Sequence, residues 1–171
     1  MDLEKLKNEI KKEEGYRDIL YSDHLGFATI GYGHLVKPYE KFTKDKKYDR
    51  KVLEKIFIYD VNIATRDAKS LCKGIENEDV LPIISHMCFQ LGRTKTAKFY
   101  KMFDAIRKKD YYEAGNQMED SLWAREHTPR RARELAHRMR KLTWGNIEKE
   151  LQHQKNYKKY MIIEKNMQKK N

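Results

Sequence analysis

The stretch EEGYRDILYSDHLGFATIGYGHL, from Glu13 to Leu35, differs from the sequence around it. It contains four of the eight glycines of a 171-residue chain, whereas the flanking segments are rich in lysine and have apolar residues at helical spacing. Within the stretch, two carboxyl side chains, Glu14 and Asp23, precede a hydroxyl side chain, Thr29. A short glycine-rich segment with two acids and a hydroxyl is a candidate functional site.

A first helix is predicted to end beside Glu14. Asp2 is available as its N-cap, and Gly15 is placed to stop it. Apolar side chains recur between these limits at helical spacing, at Leu3, Leu6 and Ile10. The first candidate acid therefore lies at the C-terminal end of a helix.

The segment FATIGYG, residues 27–33, alternates as a strand does. Gly26 supplies the turn before it. One predicted face carries Ala28, Ile30 and Tyr32, and the other carries Phe27, Thr29, Gly31 and Gly33. The second face has little side-chain bulk, so a sugar ring could approach the backbone there.

The rest of the chain has the periodicity of helices. A long helix is predicted from about residue 49 to 73, with an apolar side made of Val52, Leu53, Ile56, Ile63 and Ala64. Later helices are predicted to be punctuated at Gly74, Pro82, Gly92, Gly115, Pro129 and Gly145. Gly115 is predicted to interrupt a helix, Thr128 to cap one, and Gly145 to end the last one. The predicted class is α+β, mostly α.

The charge of the chain is unevenly distributed. Its net charge is +11, and residues 125–171 hold 14 lysines and arginines against 5 acidic residues, which is +9 of that total. A basic end implies an anionic partner: a nucleic acid, a membrane surface or an acidic cell-wall polymer. We expect no membrane span, because no run of about 18 apolar residues exists. Cys72 and Cys88 are expected to be reduced, buried thiols, with a disulfide as the alternative.

The environments of the two acids predict different protonation. The helix dipole beside Glu14 disfavours its ionised form and would raise its pKa, while Asp23, in a polar turn, should stay ionised. Two carboxyls with pKa values moved apart are typical of glycoside hydrolysis. Taken alone, the spacing favours a solvated charge at a helix end and an ordinary turn residue, because both are common in such places.

The motif Glu14-x8-Asp23-x5-Thr29, within EGYRDILYSD and TIGYGH, resembles that of the phage-type lysozyme (endolysin muramidase) family. The resemblance continues in Phe57, in YDV of the long helix, in MCFQLG at 87–92, in Trp123, in TPRRA from Thr128 and in Trp144. It implies a two-lobed fold: a small β lobe over about 15–60 joined by the long helix to a helical lobe over about 74–145 plus the first helix. Residues 1–145 would be the lysozyme domain, and 146–171 a basic, helical extension.

The resemblance also implies an activity. The chain would hydrolyse the β-1,4 bond between N-acetylmuramic acid and N-acetylglucosamine in peptidoglycan, with inversion and without a metal or cofactor. Glu14 would be the general acid, and Asp23 with Thr29 would position or activate the attacking water. The alternatives are a lytic transglycosylase, which needs no residue to hold water, a basic helical domain that binds nucleic acid, and a wall-binding relative that has lost catalysis.

Further site residues are implied by the same resemblance. Arg131 would meet Glu14 from the helical lobe, and His34 is expected to pair with Asp60 and tie the hairpin to the long helix. Cleft-lining positions would be Leu35, Phe89 and Gln90; the alternatives are core packing for Leu35 and Phe89 and a hydrogen bond at a helix end for Gln90. Trp123 and Trp144 are expected in the core.

The tail, residues 145–171, is either a frayed, solvated helix or a tether that binds anionic envelope polymers through its lysines. Its apolar residues Ile147, Leu151, Tyr157 and Met161 have partly helical spacing. The protein is expected to act as a monomer on peptidoglycan, not on nucleic acid. Since the N-terminus has no export signal, it is expected to accumulate in the host cytoplasm and to depend on a holin to reach the wall.

Overall fold

The computed structural model of the chain describes residues 1–23 and 26–168, and for residues 126, 127 and 156–168 it describes the backbone alone. Its helices are α1 (Leu3–Glu14), α2 (Arg50–Leu71), α3 (Val80–Leu91), α4 (Arg93–Thr96), α5 (Tyr100–Arg107), α6 (Tyr111–Glu119), a short π-helix (Trp123–His127) and α7 (Pro129–Gln168). Three strands, β1 (Arg17–Ser22), β2 (Ala28–Gly31) and β3 (His34–Leu35), form one antiparallel sheet in that order. The predicted class, mostly helical α+β with a small antiparallel sheet, is confirmed.

The chain divides into two compact units, Met1–Phe99 and a second unit that begins at Tyr100. The sheet and helices α1 to α4 belong to the first unit, and α5 to α7 belong to the second. The proposed boundary at residue 145, between a domain and an extension, stays a prediction.

Helix α1 begins and ends where the sequence predicts. The Asp2 side chain accepts a hydrogen bond from the backbone N–H of Lys5 at 3.0 Å, and Gly15 follows the helix with φ +70°. Only glycine adopts such a φ at little cost, which is why the helix stops directly after Glu14. The buried face of α1 packs in a core cluster made of Leu6, Ile10, Tyr32, Phe57 and Val61.

The strand predicted over residues 27–33 is shorter in the structure. Strand β2 ends at Gly31, whose φ is +66°, and the chain turns through Tyr32 and Gly33 into β3. A side chain at Gly31 would meet Leu53 of α2 at 3.5 Å, so the predicted uncluttered face is closed at this position. The prediction of one continuous strand through Gly33 is therefore wrong, because the glycines bend the backbone.

Helix α2 confirms the predicted long helix, with Asp49 as its N-cap accepting from Lys51 N–H at 2.7 Å. Its predicted apolar side is only partly correct, because Val52 is exposed. The buried residues of α2 are Leu53, Phe57, Val61, Ala64, Thr65 and Ala68. Helix α3 has Pro82 in its first turn and ends at Gly92, as predicted.

Two glycines predicted to break helices lie inside helices of the second unit. Gly115 lies in the middle of α6, where α7 packs directly against it. A Cβ at this position would lie 2.7 Å from the backbone oxygen of Ala136 and 2.5 Å from Cγ of Arg140, so only glycine fits. Gly145 lies within α7, which continues to Gln168, so the predicted helix end at Gly145 is wrong.

The start of α7 agrees with the prediction, since Pro129 occupies its first position directly after Thr128. The side chains of Tyr157 and Met161 lie outside the described residues. Across the part of the chain that the structure describes, no helix is both long enough and apolar enough to cross a bilayer.

Candidate active site

The carboxyl of Glu14 lies against the turn between β2 and β3. A Cβ added to Gly33 would come within 3.0 Å of Oε2 of Glu14 and 3.6 Å of its Cδ. Gly33 also has φ +80°, a conformation that other residues rarely adopt. A glycine is therefore required here both by the backbone and by the closeness of the Glu14 carboxyl. The end of α1 thus places a half-buried acid directly over a glycine of the hairpin.

Asp23 is fixed by the backbone of the turn between β1 and β2. Its Oδ1 accepts the N–H of Phe27 at 2.8 Å, and its own N–H donates to the carbonyl of Phe27 at 2.9 Å. Gly26, with φ +84°, donates its N–H to the carbonyl of Asp23 at 3.0 Å. A half-exposed carboxylate is therefore oriented by its hydrogen bond to Phe27.

Thr29 is only 4% exposed, and its hydroxyl donates to the same Phe27 carbonyl at 3.0 Å. Tyr21 and Leu35 lie opposite Thr29 in the neighbouring strands, so the three side chains form a row on one face of the sheet. Leu35, at the edge of this row, is 53% exposed, so its alternative role in core packing is wrong.

Tyr21 is a site residue that the sequence analysis missed. Burial raises the pKa of its hydroxyl; the guanidinium of Arg17, 4.5 Å above the ring, opposes this rise, and the negative charges of Glu14 and Asp23 add to it. Tyr21 therefore presents a neutral O–H group within electrostatic reach of both acids. Its position opposite Thr29 and two residues before Asp23 in a predicted hairpin was a signal that could have identified it.

The predicted contact between His34 and Asp60 is confirmed. His34 Nδ1 lies 2.7 Å from Oδ2 of Asp60, and a second carboxylate, Glu40, lies 2.9 Å from His34 Nε2. Burial disfavours the imidazolium, but the hydrogen bonds to Asp60 and Glu40 outweigh it, so the pKa of His34 is raised. Glu40 was missed because it lies in a loop without periodicity, where the N–H of Lys37 also bonds it at 2.7 Å.

A second polar cluster joins α1, the hairpin turn and α2. The ammonium of Lys11 lies 2.5 Å from Oε2 of Glu54, and the hydroxyl of Tyr32 donates to Oε1 at 2.7 Å. The guanidinium of Arg50 reaches Tyr32 as well, at 3.3 Å from its hydroxyl. Burial works against the ionisation of Glu54, but the bonds from Lys11 and Tyr32 prevail and lower its pKa. This cluster fixes the turn that carries Gly33 against the helix that carries Glu14.

The remaining predicted residues lie in different places. Phe89 is half-buried and its ring lies 5.9 Å from that of Phe57, so it packs beside the core, and Gln90 is half-buried in the last turn of α3. Arg131 lies in the first turn of α7, in the second unit, and its role toward Glu14 stays a prediction. Trp123 is buried as predicted, whereas Trp144 is 67% exposed, so its predicted place in the core is wrong.

Cys72 and Cys88 are reduced thiols, as predicted, although only Cys88 is fully buried. Burial raises the pKa of Cys88 to about 11, which makes it unreactive as a nucleophile. Among the side chains that the structure describes, no three His, Cys, Asp or Glu residues are grouped so that they could hold a metal ion.

Comparison with known proteins adds to this geometry. A model of the family described as phage lysozyme matches residues 11–141. Two proteins of Dictyostelium discoideum, described as probable T4-type lysozyme 2 and probable T4-type lysozyme 1, are 29% and 27% identical to this chain, over 74% of it and 88% of each relative. The pre-baseplate central spike protein Gp5 of Enterobacteria phage T4 is 28% identical over 72% of this chain but only 26% of that protein.

Proposed function

Because this chain belongs to the phage lysozyme family, we propose that it hydrolyses the β-1,4 bond between N-acetylmuramic acid and N-acetylglucosamine in peptidoglycan. The family and the names of its relatives support lysozyme function and a glycoside hydrolase that degrades peptidoglycan. The family match includes the whole hairpin and the end of α1.

The placement of Tyr21 is the observation that carries the assignment of roles. One phenol feels the charges of both Glu14 and Asp23, so both acids lie within electrostatic reach of the same hydroxyl. Glu14 is the last residue of α1, and Asp23 comes directly after β1. Their positions are therefore set by different elements. Two acids held by different elements can serve opposite faces of one sugar ring.

In the proposed reaction, Glu14 donates its proton to the glycosidic oxygen as the bond from that oxygen to the sugar C1 breaks. A water attacks C1 from the opposite face, and its proton passes to Asp23, so the configuration at C1 inverts. The Phe27 N–H orients Asp23 without using up its capacity to accept this proton, because a carboxylate has about four lone-pair sites. Solvent then returns both acids to their starting states.

Other residues would assist without taking part in bond changes. We assign to His34 a positioning role, since its bonds to Asp60 and Glu40 join the hairpin to α2 and to the following loop. Arg131 is proposed to position Glu14. Leu35, Phe89 and Gln90 are proposed to contact the saccharide, and the 53% exposure of Leu35 on the Thr29 row is consistent with that.

Digestion of purified peptidoglycan tests the reaction. Mass spectrometry of the products should show reducing N-acetylmuramic acid ends. Reducing N-acetylglucosamine ends would contradict the assigned bond, and anhydro ends would show a lytic transglycosylase. Proton NMR during early turnover should show the α anomer first, as inversion requires; the β anomer would show retention and a different role for Asp23.

A further inference from the structure

One side of α7 carries an apolar stripe that faces solvent. Trp144, Ile147 and Leu151 follow one another at intervals of three and four residues, which places them on one side of the helix. They are 67%, 41% and 51% exposed. The match to the family model ends at residue 141, before the first residue of the stripe.

Lysines bound the stripe at both ends. Lys141 comes three residues before Trp144 and Lys155 four residues after Leu151, and both are exposed on the same side of α7. From residue 141 to the end, the sequence has eight lysines against three glutamates, one of which, Glu148, borders the stripe. The stripe, bordered by Lys141 and Lys155, therefore lies in a stretch of sequence with an excess of positive charge.

We propose that this side of α7 docks on a lipid bilayer that contains anionic headgroups. A helix with Trp, Ile and Leu along one side and lysines around them can lie in the plane of a bilayer interface, with the apolar side chains among the upper acyl chains. Trp is enriched at such interfaces, and lysines near the surface are attracted to anionic lipids. The lysines thus supply the attraction, and the stripe supplies the insertion.

Two other occupants fit the stripe less well. A wall polymer of sugars and phosphates offers charge to the lysines but no apolar phase for Ile147 and Leu151. A second copy of α7 would need the stripe to continue, but the next positions at the same intervals after Leu151 are Gln154 and Lys158. A seam of about two turns is too short for a coiled coil.

Intrinsic tryptophan fluorescence of the full chain tests the proposal. Because Trp123 is buried and Trp144 exposed, mixing with phosphatidylglycerol vesicles should shift the emission of Trp144 to the blue. The double variant Ile147→Gln/Leu151→Gln should partition at least about tenfold more weakly, since two insertable side chains are lost. The double variant Tyr100→Gln/Leu122→Gln removes two exposed apolar side chains elsewhere in the same unit, and it should bind as the unaltered protein does.

The other outcomes would overturn the proposal. If the Ile147/Leu151 variant binds the vesicles as well as the unaltered protein does, the apolar stripe is not involved. If the unaltered protein binds phosphatidylcholine vesicles as well as phosphatidylglycerol vesicles, anionic headgroups are not required. Stripe-dependent binding to lipid-free walls without vesicle binding would assign the surface to a wall polymer. A dimer in sedimentation velocity that the variant abolishes would assign it to a second copy. Circular dichroism should show equal helicity in all variants, because the substituted side chains are exposed.

Discussion

The two units of the chain hold their elements together by different means. The unit before Tyr100 joins α1, the hairpin and α2 through His34, Asp60, Glu40 and Glu54, whose side chains titrate. The second unit joins α6 to α7 by close approach at Gly115, where the guanidinium of Arg140 also donates to Glu119 and Asn116. A change of pH should therefore be felt most at the His34 contacts of the first unit, and a change of side-chain volume most at Gly115 of the second. The first unit also contains Glu14 and Asp23, the carboxyls assigned to catalysis. Substituting these should lower activity, whereas substituting Asp60 or Glu40, which hold elements together, should lower stability.

The largest expected effect is the loss of activity in Glu14→Gln. The amide cannot donate a proton to the leaving oxygen, and loss of general acid catalysis lowers kcat by roughly two to four orders of magnitude. The melting temperature should stay close to that of the unaltered protein. Glu4→Gln makes the same change of charge on the exposed side of α1 and should keep its activity. A folded Glu14→Gln protein with near-normal wall lysis would remove the central assignment.

Asp23→Asn should lower the hydrolysis rate by roughly two orders of magnitude, because an amide does not accept the proton of the attacking water. Its amide oxygen can still accept the Phe27 N–H, so the turn should keep its shape. Asp45→Asn, at an exposed position with φ +63°, is the matched control, since Asn tolerates this conformation. Normal turnover by Asp23→Asn would show that another group handles the water.

The His34 contacts predict a stability that depends on pH. The raised pKa of His34 means that its stabilisation is fully present below its ordinary pKa and is lost as pH rises through the folded value. Glu40 acts in the opposite sense: because its pKa is lowered, its stabilisation is lost as pH falls through the folded value. The contacts should therefore stabilise most between the ordinary pKa values of Glu and His, about 4.3 and 6.5.

Asp60→Asn and Glu40→Gln should each lower the free energy of unfolding in that window by about 1.5–3 kcal/mol, and by less at higher pH. Urea unfolding at one pH inside this window and at a second pH above the folded pKa of His34 measures the difference. NMR titration should show the pKa of His34 falling in both variants. Asp104→Asn, which breaks the exposed pair with Lys108 in the second unit, should show little change between the two pH values. An unshifted His34 pKa in the unaltered protein would end this account.

In the second unit, the same substitution should have opposite signs at two glycines. Gly115→Ala should destabilise by about 1–2 kcal/mol, because crowding against the fixed backbone oxygen of Ala136 exceeds the gain in helix propensity. Gly145→Ala, with open space around its Cβ, should stabilise by about 0.5–1 kcal/mol. Thermal unfolding of both variants measures this contrast, and equal shifts would contradict the close approach of α7 to α6.

The smallest expected effect on the rate is that of Tyr21→Phe. Loss of a neutral O–H group near both acids should lower kcat by about tenfold and change the pH dependence of the rate, with little change in stability. Tyr39→Phe removes an exposed hydroxyl from the same unit and should leave both unchanged. A rate for Tyr21→Phe equal to that of the unaltered protein would show that Tyr21 only packs beside the acids.

The parts of the fold that could be predicted are those set by local chemistry. Asp2 and Gly15 define α1 because capping and positive φ act within a few residues. Gly115 and Gly145 were misjudged for the converse reason: a glycine costs a helix only about 1 kcal/mol, and contacts with neighbouring elements decide whether the helix continues. Trp144 shows the same limit, since spacing identifies one side of a helix but not what covers it.

The candidate site divides in the same way. Glu14, Asp23 and Thr29 were found through a motif that runs from the end of α1 into the hairpin, and the contact of His34 with Asp60 through the resemblance. Glu40 and the Lys11–Glu54 contact join residues from separate elements, without any repeat in the sequence to connect them. Such contacts depend on tertiary packing, which periodicity does not encode.

The unbroken course of α7 through Gly145 fixes a length. A helix rises about 1.5 Å per residue, so the backbone at Gln168 lies roughly 40 Å along the axis from the buried Met139. A flexible tail of the same number of residues would sample a broad range of distances, whereas a helix has one. One residue inserted between these points would also rotate everything beyond it by about 100°. The length of α7 therefore determines both how far from the buried part of the second unit its last turns lie and in which direction they face.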